Sequence, residues 1–419
     1  MCESEAETFS ASSSTETVTA VSDSDQSSLI DFESKDIREG FGSSLETQFE
    51  YAVNEHFYAA TEKAGISGAV YKTGYMWRYA KGNASSSDQM TVRTPNLIRS
   101  TSKTFITGLV LKQIDDGLYS LSDTLGSVLS DSDEYALLDK NVINPDVTIE
   151  QLLTMTSGIK HIQDYYRKEI TELQGNPNWS PIDLAKLVII DFVSPGTYEY
   201  SNTNTTILGL IAEHKGKKNL NELYKSELLD PLGLVALLMP QDNVPLNTAR
   251  PHGDLSEWGG GTGFGDISEI SHYSDWYQAT GKTTWAAAGM VTTPENMARW
   301  AYELFSVHGS AISPTARAWL LGSFIGPPIE IGGWPQQYGY HATKRTIPLS
   351  ENDITVYGHP GGGGGYTSVF YYSPELDLAI SLLANSHAEA RSRAEAEGRL
   401  THKTLDDIGQ QIFDAYNPE

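Results

Sequence analysis

Apolar residues recur at helical spacing over roughly 44–62, where Leu45, Phe49, Val53, Phe57 and Ala60 share one face. Ser43 and Glu46 have capping-box spacing just ahead of this stretch, and Gly65 ends it. Two short β-prone runs follow, Ser67–Lys72 and Tyr75–Ala80, joined at Thr73-Gly74 as in a hairpin. The next segment, Asn96–Ile114, reads as one helix. After its first turn it is apolar on most sides (Phe105, Ile106, Leu109, Val110, Leu111, Ile114), which predicts a helix inside the protein rather than on its surface. Gly117 is its expected stop.

Residues 118–280 read as mainly helical. The candidates are Thr148–Thr156, Pro181–Val193, Thr203–His214 and Leu220–Leu229, with a glycine-rich aromatic loop at Trp258–Gly265. Thr293 with Pro294 opens another helix, carrying Trp300 and Phe305 on its apolar side. Strand-like runs return at Thr355–Gly358, Ser368–Tyr372 and Leu378–Ala384, and a helix over about 404–416 closes the chain. Strands at both ends with helices between them predict an α+β fold, an α/β sandwich. One antiparallel sheet is built from both chain ends and flanked by helices, with an inserted helical lobe. The expected division is a disordered tail over 1–42 and a single catalytic-type domain over 43–419. Within that domain an α/β lobe spans about 43–117 and 281–419, and the helical lobe about 118–280.

Composition narrows the function. The formal charge is −25, which disfavours phosphate backbones and argues against nucleic-acid binding. No run of 18 apolar residues occurs. A single cysteine rules out an internal disulfide or a Cys-rich metal site. Residues 1–28 contain nine Ser, four Thr, six acidic residues and no Lys or Arg, the composition of a disordered tether. That cysteine, Cys2, directly precedes the tether, an arrangement resembling a mature bacterial lipoprotein. The expectation is therefore a periplasmic or extracellular protein with a lipid anchor at Cys2, in preference to a cytosolic protein with an incidental surface cysteine.

Three short motifs carry chemistry. Ser100-Thr101-Ser102-Lys103 places a hydroxyl and an amine three residues apart, on one helical face. A serine needs a base to become a nucleophile, and a lysine can serve once burial makes it neutral. Taken singly, the same residues could cap a helix beside a solvated lysine. Tyr200-Ser201-Asn202 offers a phenol to relay protons and an amide to orient them; singly it is a polar loop. His359-Pro360-Gly361, followed by Gly362–Gly365, offers a bare strand edge and a backbone N–H for an oxyanion, or simply a glycine-rich turn. Lys72-Thr73-Gly74 precedes Ser100 and falls in the hairpin turn, and Gly281-Lys282-Thr283 lacks the first glycine of a phosphate loop because Trp276 stands there. Neither G-x-S-x-G nor H-E-x-x-H occurs.

S-x-x-K, then Y-x-N 100 residues later, then H-x-G a further 159 on, resembles the serine β-lactamase and penicillin-binding protein superfamily. The branch is that of class C β-lactamases, DD-peptidases, D-aminopeptidases and family VIII esterases. Flanking segments agree over about residues 50–415: 97–105, 116–123, 148–158 with Met155 where histidine is usual, 230–234 and 288–294. The resemblance implies that Ser100 is acylated, that Lys103 and Tyr200 form the general-base pair, and that Asn202 orients them. His359 would replace the lysine of a K-T-G motif, Gly361 would leave room for substrate, and the N–H groups of Ser100 and Gly362 would form the oxyanion hole. It implies no cofactor and no metal.

Substrate is harder to read. Pro360 and Gly362 stand where relatives offer a hydroxyl to a substrate carboxylate, so such recognition looks weakened unless a protonated His359 or Arg345 compensates. Aromatics such as Tyr165, Tyr166, Trp179, Trp258, Trp276, Trp285 and Trp334 could line an apolar pocket or fill the core. The expectation is a serine hydrolase acting on small esters or amides, with a small-molecule or peptide-like substrate. D-alanyl-D-alanine carboxypeptidase or weak β-lactamase action is the alternative, and a non-catalytic penicillin-binding sensor or scaffold the competing class.

Overall fold

The computed structural model describes residues 32, 39–60, 64–161, 173, 176, 178–239, 245, 247–252, 284–331, 334–386 and 400–417. The acidic tether, Cys2, the loop expected at 258–265 and the Gly281-Lys282-Thr283 decoy lie outside them. Helix α1 is Ser43–Ala59, and the hairpin forms as β1 (Gly65–Lys72) and β2 (Tyr75–Gly82), turning at Gly74 with φ 86°. Short strands β3 (Asn96–Leu97), β4 (Ala236–Leu238) and β5 (Met290–Thr292) form a small sheet in the order β3-β5-β4. The remaining strands are β6 (Ile329–Ile331), β7 (Trp334–Tyr338), β8 (Thr343–Pro348), β9 (Asp353–Gly363), β10 (Tyr366–Ser373) and β11 (Leu378–Ala384). They join the N-terminal hairpin in one eight-stranded sheet, β2-β1-β11-β10-β9-β8-β7-β6, whose paired neighbours run antiparallel. This is the α+β arrangement expected from the sequence, with the sheet drawn from both ends and helices supplied by the middle.

The period-2 pattern of β11 shows why the sheet is buried on both faces. Leu378, Ile380, Leu382 and Ala384 pack with Phe49 and Val53 of α1 and with Leu405, Ile408 and Ile412 of the C-terminal helix His402–Tyr416. Ala379 and Leu383 point the other way, into a larger core that includes Trp300 and Phe305 of the Pro294–Phe305 helix. A strand covered on both sides reads as a continuous apolar run, as β11 does.

A buried ion pair fastens the C-terminal helix to the sheet. Arg345 on β8 donates two hydrogen bonds to Asp406, at 3.0 and 3.1 Å, and the Tyr371 hydroxyl on β10 donates to the same carboxylate at 2.5 Å. Both charged side chains are 4% exposed.

Two local expectations are corrected. The Ser43/Glu46 capping box does not form, because Gly42 is the N-cap and Glu46 Oε1 instead accepts from the Phe41 N–H at 2.9 Å. The single helix expected over 96–114 is three elements: β3, a 3₁₀ turn Arg99–Ser102, and helix α2, Lys103–Asp115. Pairing of β3 with β5 and an Arg99 φ of 54° stop the helix from starting earlier. Gly117 does end α2, at φ 77°.

Asp406→Ala should strand the Arg345 guanidinium in a dry site. Urea unfolding should show a loss of about 3–5 kcal/mol; a loss under about 1 kcal/mol would mean that the pair is hydrated.

Candidate active site

Hydrogen bonds to the Ile98 backbone hold the turn that carries Ser100. Ile98 N–H donates to Met290 O at 3.0 Å, Thr101 Oγ1 donates to Ile98 O at 2.6 Å, and Ser368 Oγ on β10 donates to the same carbonyl at 2.6 Å. Below the turn, Phe105 stacks on Trp300 with centroids 4.2 Å apart, and the Trp300 indole N–H donates to Thr104 Oγ1 at 2.9 Å. Gly108 keeps α2 close to that ring: a Cβ there would lie 2.8 Å from Trp300. Ser100 stays partly exposed on this fixed platform, whereas Lys103 is wholly buried.

Lys103 Nζ lies 3.1 Å from Ser100 Oγ and donates to the Ala287 carbonyl at 2.8 Å. Burial first, and the Arg99 charge second, push the Lys103 pKa well below the usual lysine range. The Tyr200 ring centroid is 4.9 Å from the same nitrogen, and its phenol lies near Ser100. Burial drives the Tyr200 pKa upward, with the nearby Ser100 hydroxyl opposing, so the phenol keeps its proton. An amine pushed toward its neutral form and a phenol pushed to keep its proton therefore flank one hydroxyl. An amine so placed has the chemistry of a base, and the phenol that of a relay.

A backbone zipper delivers Tyr200. Val193 N–H donates to Gly158 O, Gly196 N–H to Thr156 O and Glu199 N–H to Met155 O, at 3.0, 2.8 and 2.8 Å. Two positive-φ residues shape the acceptor strip, Met155 at 57° and Gly158 at 76°, and a Cβ at Gly158 would sit 2.1 Å from Val193 O. Asn204 lies across it, accepting from Ser157 Oγ at 2.6 Å and donating to Met155 Sδ at 3.3 Å. Asn202 opens the helix Asn202–Gly216, and its backbone N–H donates to His161 Nδ1 at 3.0 Å.

The third motif sits on β9. Its ladder with β8 ends at Gly358, while its ladder with β10 continues to Gly363, so 359–363 form an arm paired on one side by these ladders. Directly opposed residues share a face, which puts His359 and Gly361 with Phe370 and Ser368. That face meets the nucleophile turn. A Cβ on Gly361 would lie 2.4 Å from Ile98 O, 2.4 Å from Ser368 Oγ and 3.0 Å from Ser100 N. Gly361 thus makes room for the turn, and it brings Ser100 N–H beside the arm that carries Gly362. Pro360 opposes Val369, which packs in the core under the terminal helices, so its ring faces away from the cleft.

His359 is buried, with Nδ1 2.5 Å from Pro360 O and Nε2 3.2 Å from the Tyr338 hydroxyl. A carbonyl can only accept, so Nδ1 carries the proton and Tyr338 O–H donates to Nε2. Burial is the leading cause that lowers the His359 pKa to about 3. Neither compensation expected for a substrate carboxylate is therefore present: His359 is neutral, and Arg345 is committed to Asp406.

Tyr338 was not singled out by sequence, yet it organises the wall of the cleft. Its ring lies 5.1 Å from Tyr198, 6.1 Å from Tyr200 and 5.7 Å from His359. Tyr198 and Tyr338 also line a cavity of about 890 Å³, with Trp319, Ile325, Tyr340 and Glu150. Ser100 is not on its lining. Of the aromatics proposed for a pocket, Trp285 is core, wholly buried against Gly209. Tyr165, Tyr166, Trp258 and Trp276 lie outside the described residues. No group of metal-ligating side chains occurs among the described residues, and none of their helices is long and apolar enough to cross a membrane.

This fold, with three distant segments meeting around Ser100, defines a serine β-lactamase-type architecture. A family model, Beta-lactamase, matches residues 53–403, and the chain belongs to that family. Protein flp of Staphylococcus aureus (strain MRSA252) is 24% identical over 303 residues, covering 70% of this chain and 53% of that protein. The chain thus spans about half the length of that curated relative. Among solved structures, the D-amino acid amidase of Ochrobactrum anthropi SV3, complexed with D-phenylalanine, superposes with a TM-score of 0.70 at 19% identity, over 89% of this chain and 99% of that one. A D-stereospecific amidohydrolase from Streptomyces sp. gives 0.63 at 17% identity, over 89% and 97%.

Gly361→Ala should push the nucleophile turn off β9. Ser100 labelling by a fluorophosphonate should slow by about 100-fold while the circular dichroism stays native; an unchanged rate would mean that the turn tolerates the methyl group. Lys103→Met should abolish labelling and raise stability. The unfolded lysine holds its proton up to its ordinary value of 10.5 and the buried one releases it earlier, so in that window the unfolded state binds more protons. Wild-type stability should accordingly rise with pH relative to Lys103→Met. Denaturation at pH 7 and pH 9 checks the sign, and an equal gap at both pH values would place the lysine charge in water.

Proposed function

We propose that this chain is a serine hydrolase that forms an acyl-enzyme on Ser100 and cleaves small esters or amides, D-amino-acid amides among them. One observation carries the reading: a lysine with no solvent exposure sits 3.1 Å from the hydroxyl of a partly exposed serine. Family membership and two amidase-like folds support hydrolase chemistry in the broad sense.

In the proposed cycle the Lys103 amine takes the Ser100 proton as Oγ bonds to the substrate carbonyl carbon. The negative charge on the carbonyl oxygen is met by the N–H groups of Ser100 and Gly362. The carbonyl re-forms as the bond to the alcohol or amine breaks. The leaving group takes the Tyr200 proton, which the Lys103 ammonium replaces. Water, deprotonated by the same pair, then attacks the acyl carbon and releases the carboxylic acid and free Ser100.

Neutral substrates suit this cleft better than acidic ones, because His359 is uncharged and Arg345 is bound to Asp406. Carboxypeptidase or β-lactamase action therefore ranks below esterase or amidase action. A non-catalytic sensor ranks lowest, since burying a lysine amine costs several kcal/mol and a scaffold gains nothing from it.

Labelling by a fluorophosphonate and by a fluorescent penicillin, with Ser100→Ala as control, tests the nucleophile; label that persists in the variant overturns the assignment. p-Nitrophenyl butyrate and D-phenylalanine amide should then turn over at least tenfold faster than a D-Ala-D-Ala peptide or nitrocefin, and the reverse order would favour the carboxypeptidase or β-lactamase reading.

A further inference from the structure

His341 is a buried titratable residue for which the proposed cycle has no use. It lies on the turn between β7 and β8, which is pinned from three sides. Thr107 Oγ1 of α2 donates to Tyr340 O at 3.1 Å, the His341 N–H donates to Leu153 O at 3.0 Å, and Tyr340 N–H donates to Ser323 Oγ at 3.0 Å. The His341 backbone is left-handed, φ 46°, a conformation that glycine or asparagine adopts more cheaply. Its side chain has no solvent exposure, and neither ring nitrogen has a hydrogen-bond partner among the described residues. The ring lies near the backbone of Leu152 and Lys103.

Backbone strain and two unpaired buried nitrogens at one position are both unfavourable, and such costs collect at functional sites. Here they fall on a turn hydrogen-bonded to α2 at Thr107, one helical turn beyond Lys103. We propose that His341 is a positioning residue for Ser100 and Lys103: its uncharged imidazole fills the space under the first turn of α2 and keeps water away from the amine. The inference rests on the reading of Lys103 as the base.

The groups facing Lys103 are Arg99 on the nucleophile turn, Tyr200 ahead of the Asn202–Gly216 helix, His359 on β9 and His341 itself. His402 and Tyr338 stand behind His359. Burial, with Lys103 and His359 nearby, pushes the His341 pKa well below the usual histidine range. A neutral filler of this kind leaves the lysine dry without adding a charge.

The test is the rate of fluorophosphonate labelling of Ser100 from pH 5 to pH 10 in wild type, His341→Gly and His341→Asn, with melting temperatures. Glycine relaxes the left-handed backbone but opens a cavity that water can enter, so the lysine regains solvation. Its acid limb should move up by about one pH unit, labelling at pH 7 should fall about tenfold, and the melting temperature should not drop. Asparagine tolerates the same backbone and fills part of the space, so its limb should fall between the two. Should the glycine variant fail to fold, the asparagine limb decides alone. Limbs that superimpose on wild type, or rates lowered evenly at every pH, overturn the inference and leave the functional reading standing. Wild type that shows no Ser100-dependent labelling overturns both.

Discussion

A dry lysine amine against a serine hydroxyl is the constraint to which the surrounding structure answers. Moving an ammonium out of water costs several kcal/mol after relaxation, so burial pushes the Lys103 amine toward releasing its proton. Keeping Lys103 dry requires α2 to be covered on nearly every side, and from Lys103 to Leu111 every residue is buried. The Trp300 stack, the close approach at Gly108 and the Ala287 carbonyl all serve that enclosure. Ser100 escapes it because the 3₁₀ turn lifts the hydroxyl to the mouth while Lys103 stays beneath.

The same constraint explains why segments so far apart in the chain must meet. A helix end cannot seal itself. The β9 arm closes one side, and Gly361 permits the contact that a methyl group would prevent. The 155–158 strip and the 193–199 segment close another side, delivering Tyr200 through backbone hydrogen bonds. Both supports are anchored in elements with other reasons to exist. β9 is central to a sheet buried on both faces, and Asn204 belongs to a helix buried along most of its length.

Legibility in the sequence follows the range of the interaction. β11 and the C-terminal helix could be read because their periodicity is local and their burial follows from it. Ser100, Lys103 and Tyr200 could be read because their side-chain types and order are distinctive. The start of α2 could not: a strand pairing with residues 290–292 and a left-handed arginine leave no local pattern, and the apolar run looks like one helix. Ala287 contributes a carbonyl, which every residue has, and Tyr338 matters only through the register that sets its hydroxyl on His359. The role expected of Arg345 failed for a related reason. Its partner, Asp406, lies 61 residues away on the last helix, and nothing between them signals the pair.

Electrostatically, the cleft is built to hold protons more than charges. Lys103, His359 and His341 are all pushed toward their neutral forms, and Tyr200 and Tyr338 are pushed to keep their phenolic protons. Burial is the leading cause for each of the five, so their states reinforce one another: charging any one would require water, and water would alter the rest. A neutral ester or amide enters such a site at little desolvation cost beyond its own carbonyl. The charge that then develops on that oxygen is new and short-lived, and backbone N–H groups fixed by the sheet can meet it without reorganising. An anionic substrate would bring a permanent charge into the same dry volume, and the two side chains best suited by type to receive it are a neutral histidine and an arginine already bound to Asp406. The proposed preference for uncharged substrates rests on the same dryness that lowers the Lys103 pKa.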